Sequence, residues 1–183
     1  MKKFFYFITF ILLICFPANS ENKKDELDKL FLKLKKEKNI TVASKIESKI
    51  WKLWTTHPSD PLLTELLAEG SYYMSQNQLS SAHEIFSKAI ELDPDWAEAW
   101  NKRATVLYLM GNYQLSQNDI DQVLNLEKRH FGALSGQGLV QSALKNYEMA
   151  INSYIEAHKI YPSMQSTIIM IEKLQKLIKN ETV

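Results

Sequence analysis

At 183 residues, with 45% apolar and 23% charged side chains, the chain has the composition of one globular domain and argues against intrinsic disorder. Its 22 basic and 21 acidic residues leave a net charge of +1, so no sign imbalance points to nucleic acid or to an anionic membrane. The single cysteine, Cys15, lies in the first apolar run, and His57, His83, His130 and His158 are too scattered to share a helix face, so neither thiolate chemistry nor a metal site is expected.

The first twenty residues read as an export signal. Lys2 and Lys3 supply the positive end, Phe4 to Phe16 the apolar run, and Ala18 and Ser20 the small residues of a cleavage site. The run is short for a bilayer core, which needs about 20 residues. Cleavage near Ser20 and a periplasmic or secreted chain are therefore expected, with a retained membrane anchor as the alternative and membrane contact only in that case.

A helix over 21–36 follows from Leu27, Leu30, Phe31 and Leu34, which recur at the three-and-four spacing of one apolar face. A second, over 41–54, carries Ala43, Ile46, Ile50, Leu53 and Trp54. Set against later segments, Ile46, Ile50, Leu53 and Pro58 agree in spacing but sit two residues early, so 21–60 reads as a degenerate helical pair expected to dock as a cap.

From residue 61 the pattern becomes regular. Asp60 is placed to cap a helix whose first turn holds Pro61, and Asp95 stands at capping-box spacing from Glu98. Helices are predicted over 61–75, 79–92, 96–110, 113–126, 130–144 and 147–160. A last helix over 164–179 turns Ile168, Ile171, Leu174 and Ile178 toward the preceding pair. Shifted by 34 residues, the sequence falls into register with itself. Leu66, Trp100 and Leu134 form one column, and Gly70, Ala104 and Gly138 form the next; Ala82, Ser116 and Ala150, then Phe86, Ile120 and Tyr154, then Ala89, Val123 and Ala157 follow, closing with Pro94, Lys128 and Pro162.

In period and in order of residue types this array resembles the tetratricopeptide repeat (TPR) family. The resemblance implies an all-α, right-handed solenoid of antiparallel helix pairs, with repeats at 63–96, 97–130 and 131–164 inside 61–162 and a capping helix over 163–183. It implies a scaffold that binds a protein or peptide on the concave face of its first helices, with no enzymatic activity, cofactor, nucleic acid or small-molecule substrate. The alternative is a permanent structural subunit of a cell-envelope assembly complex.

Carried over from the family, partner-binding positions fall on Glu98, Asn101, Lys102, Thr105 and Tyr108 in the second repeat and on Ser135 and Leu139 in the third. Thr64, Leu67, Ser71 and Met74 are their counterparts in the first, and Gly132 and Ser142 complete the third. Glu98, Asn101, Thr105 and Tyr108 form one strip opposite Ala99, Val106 and Met110, which are assigned to the core. Chaperone-binding members grip a C-terminal carboxylate with Lys, Asn and Arg from successive repeats; only Asn101 and Lys102 match that pattern here.

A polar cluster of Arg103, Arg129 and His130 admits two readings: collection of an acidic partner group, or internal ion pairs, with Asp119 or Asp121 serving Arg103. Gly132, Gly136 and Gly138 crowd one helix, either for close packing or to bare a strip of backbone for a partner. Trp51, Trp54 and Trp100 are assigned to the core, and Trp96, at a helix start, is expected to be the most exposed tryptophan. The export reading is checked by intact mass: protein from the periplasmic fraction should begin at Glu21, and full-length chain in the membrane fraction would mark an anchor.

Overall fold

A computed structural model describes residues 18–181; residues 1–17, with most of the expected signal and Cys15, and residues 182–183 lie outside it. The described residues form nine helices: α1 (Ala18–Lys36), α2 (Ile40–Thr55), α3 (Pro61–Ser75), α4 (Leu79–Leu92), α5 (Ala97–Leu109), α6 (Tyr113–Leu126), α7 (Phe131–Ala143), α8 (Tyr147–Ile160) and α9 (Gln165–Glu181). No helix among them is long and apolar enough to cross a membrane. The fold is an all-α TPR solenoid, with α3/α4, α5/α6 and α7/α8 as its pairs and α9 behind them.

Local chemistry places the breaks. Asp60 accepts a hydrogen bond from the Leu62 N–H at 2.9 Å, and Pro61 sits where its missing donor costs nothing. Each pair then turns through one residue of left-handed backbone: Asn77 (φ 58°), Gly111 (φ 78°) and Lys145 (φ 62°), spaced by 34 residues like the packing columns. The expected capping box at Asp95 does not form. α5 begins a residue later, Trp96 holds the capping position without a side-chain bond, and Glu98 turns inward.

Across each pair, a small residue on the first helix faces a large one on the second. A Cβ on Gly70 would lie 2.5 Å from the Phe86 ring, and one on Gly138 2.5 Å from that of Tyr154. The middle pair conserves volume differently, setting Ala104 against the smaller Ile120 in one buried cluster. Ser116, in an alanine column, is buried because its hydroxyl donates to the Ala104 carbonyl at 2.7 Å. α9 closes the stack with Leu174 against Ala150, Ile151 and Tyr154.

Three further expectations are corrected. Ile168 is exposed rather than turned toward the stack, and Met110, assigned to the core, is 41% exposed at the end of α5. Trp96 is buried, because its indole N–H donates to the Trp54 carbonyl at 2.9 Å.

The glycine geometry makes a direct prediction. Gly138→Ala should cost about 1–3 kcal/mol by overpacking against Tyr154, whereas a Cβ on Gly136 meets only Ile120 Cδ1 at 3.8 Å. Gly136→Ala should therefore be neutral or stabilise by up to about 1 kcal/mol. Urea midpoints of the two variants decide it.

Candidate functional site

The hairpin of α1 and α2 packs over the first helices of the second and third repeats. Its cluster joins Leu27, Phe31, Leu34, Ile50 and Trp54 to Phe131, at the start of α7, and to Tyr161, at the end of α8. The Trp54 indole stacks on the His130 ring with centroids 3.9 Å apart and planes within 8°. Trp51 meets the same histidine edge-on at 5.6 Å. A Cβ on Gly132 would come 2.6 Å from the Trp51 ring, so the bare backbone there is the seat of an aromatic side chain from this same chain.

Beneath the rings lies a buried polar triad. His130 Nδ1 accepts the Ala133 N–H at 3.0 Å and caps α7, so its proton sits on Nε2, which faces Glu98 Oε2 at 3.0 Å. Asn101 donates to the same oxygen at 3.2 Å. Glu98 Oε1 has no hydrogen bond and faces Lys102 Nζ at 3.5 Å. Glu98 and His130 are at most 1% exposed; burial of such groups is tolerable only because they satisfy one another.

The hairpin is pinned along its edges as well. The Tyr161 hydroxyl donates to Glu47 Oε2 at 3.1 Å, and burial, with the Glu47 charge beside it, pushes the phenol up to about 12. Ser163 donates to the Glu37 carbonyl, and Lys23 Nζ donates to that of Thr56 at 2.9 Å; burial lowers the Lys23 ammonium below the ordinary lysine range. Arg129 bonds Glu127 through Nε and Nη2, bonds Asp28 through Nη1, and lies 4.4 Å over the Phe31 ring. Hydrogen bonds to these carboxylates raise its already high pKa.

The residues singled out from sequence therefore divide. Glu98 and Asn101 lie buried under the hairpin, and Lys102 is drawn to Glu98. Farther along the same strip Thr105 is exposed and Tyr108 half-buried, resting on Tyr113 at 5.5 Å. On α7, Ser135 is half-buried with its hydroxyl on the Phe131 carbonyl at 2.9 Å, while Leu139 is 40% exposed. A cleft of about 60 Å³ opens between the two helices, bounded by Thr105, Tyr108, Gly132, Gly136 and Leu139. That is room for one small side chain, about two water volumes.

Arg103, Arg129 and His130 do not share one patch; each faces carboxylates of its own chain. Arg103 is held bidentately by Asp119 at 2.8 Å and 2.8 Å, reaches Ser87 at 3.2 Å, and lies 4.9 Å over Trp100. Sequence reasoning did not find Trp51 and Trp54 as the cover of this face. The available signal was Gly132, six residues ahead of Gly138 in the repeat's first-helix small-residue column and next to Phe131, a spacing that packing within the repeat does not require.

The family model for the TPR repeat matches residues 70–111. A TPR repeat-containing protein of Rhizobium etli is 35% identical over 164 residues, covering 89% of this chain and 80% of that protein. The outer dynein arm-docking complex subunit 4 of Xenopus laevis is 24% identical over 62% of this chain, which spans only 22% of that longer protein. Among solved structures, the first TPR domain of Spaghetti bound to an HSP90 peptide superposes with a TM-score of 0.62 at 19% identity, over 64% of this chain and 93% of that one. The Sgt2 TPR domain of Aspergillus fumigatus gives 0.64 at 18% identity, over 67% and 83%.

Docking of the hairpin is testable at one atom. Gly132→Ala should displace Trp51 and weaken the hairpin's attachment by about 1–3 kcal/mol, raising amide exchange in α1 and α2 while leaving α3 and α4 unchanged. Unaltered exchange in α2 would count against the seating.

Proposed function

The chain belongs to the tetratricopeptide-repeat family, and we propose that it is an exported, non-enzymatic interaction scaffold whose partner peptide or helix lies on the uncovered part of the first-helix face. The observation that carries this reading is the division of that face. α2 occupies the end over Gly132 and His130, while Thr105, Tyr108, Gly136 and Leu139 are left around an open cleft.

Peptides occupy the related folds: the Spaghetti domain is bound to an HSP90 peptide and a yeast Sti1 domain to an Hsp70-derived one. That supports a peptide as the class of partner. The chemistry expected here is different from a carboxylate grip, because Asn101 is buried on Glu98 and Lys102 is drawn to the same residue. What remains is one hydroxyl, one phenol ring and one leucine beside bare glycine backbone, a surface suited to hydrogen bonding with a peptide backbone and to anchoring one small apolar side chain. The export component rests on residues 1–20, and delivery to the periplasm follows from it.

The test is a double variant, Tyr108→Ala with Leu139→Ala, both outside the hairpin seam. Its melting temperature should stay within a few degrees of the parent, and partner recovery from envelope extract should fall about tenfold or more. Undiminished recovery of a stoichiometric complex would overturn the reading and favour a permanent envelope subunit bound through another face.

A further inference from the structure

We propose that the seam between α1 and the C-terminal ends of α6 and α8 is a second interaction surface, built for an acidic, apolar segment of a partner polypeptide; it stands independently of the first-helix reading. Two clefts meet there at Arg129. One, of about 740 Å³, lies between α1 and the turn after α6. The other, of about 500 Å³, lies between α1 and the end of α8. Both fall within the roughly 300–1,000 Å³ of ordinary ligand clefts.

The two clefts are alike in chemistry. Each contains a leucine too exposed for its size, Leu126 at 41% in the first and Leu32 at 63% in the second. Each is also rimmed by lysines: Lys24 and Lys128 at the first, Lys35 and Lys159 at the second. The acids among the lining residues, Asp28 and Glu127, are both engaged by Arg129. Lys24, Lys35 and Lys128 have no acidic partner among the described residues, and Lys159 has only Glu156, in a pair more than half exposed on both sides. The two linings together hold six basic residues, Lys23, Lys24, Lys35, Lys128, Arg129 and Lys159, against two acids, in a chain of net charge +1, and they share no residue with the α5–α7 cleft.

Spacing selects the occupant. Lys24 and Lys35 are eleven residues apart on one helix, or about 16 Å at 1.5 Å per residue, a distance that about five residues of extended chain span. Alternating side chains of such a segment would drop apolar groups into the hollows and turn carboxylates toward the lysine rims. A lipid chain would need an unbroken trough, which the Arg129–Asp28 bridge interrupts. A nucleic-acid backbone would satisfy the lysines but leave both leucines facing water.

The probe is a dye-labelled peptide of alternating glutamate and leucine, titrated against the full chain by fluorescence polarisation. Lys35→Glu with Lys159→Glu, both at exposed positions, should weaken binding about tenfold. Leu32→Ser with Leu126→Ser should weaken it comparably, and Tyr108→Ala should leave it unchanged. The proposal is overturned if the charge-reversed variant keeps its affinity, if Tyr108→Ala abolishes binding, or if a glutamate–serine peptide, an oligouridylate or a phosphatidylglycerol vesicle binds as tightly as the probe.

Discussion

The arrangement of this protein depends on the stack of Trp54 upon His130, with Glu98 beneath. The imidazole cannot leave its place without uncapping α7 and stranding a buried carboxylate, and the indole cannot leave without exposing the imidazole. Stranding such a group costs several kcal/mol, more than any single surface contact returns. The seam therefore ties the N-terminal hairpin to the second and third repeats as part of one core, and it sets which surfaces remain available to a partner.

Inside the repeats the governing rule is complementary volume. Glycine meets an aromatic ring twice, and alanine meets isoleucine once, so each pair closes to a similar distance with different residues. Polar groups between the pairs are resolved locally. Gln141 bonds Gln117 at 2.7 Å and accepts from Asn146 at 2.9 Å, joining α6 to α7 through a buried amide chain. Arg103 does similar work between α4 and α6 through Ser87 and Asp119. Side chains that looked available for recognition are in this way committed to assembly.

A TPR array ordinarily offers its first-helix face along its whole length. Here α2 lies across one end of that face, leaving a short cleft on it and a basic, leucine-bearing seam behind α1. The cleft and the seam are separate surfaces, with no lining residue in common.

Much of this was legible in one dimension. The 34-residue register placed six helices to within a residue or two, because apolar periodicity, turn residues and small–large pairing are local or nearly local signals. An internal partner for Arg103 on the neighbouring helix was legible as Asp119 or Asp121, and the structure selects Asp119. The path of the hairpin was not. Trp51 and Trp54 carry the same apolar signal whether they cap the stack or cross it, and Gly132 marks a bare spot on α7 without saying that an indole fills it. Burial of Glu98, Asn101 and Trp96 followed from that docking. Periodicity reports that a side chain seeks cover; only the tertiary structure decides what covers it, because the covering helix lies about 80 residues away in sequence and answers to shape rather than to spacing.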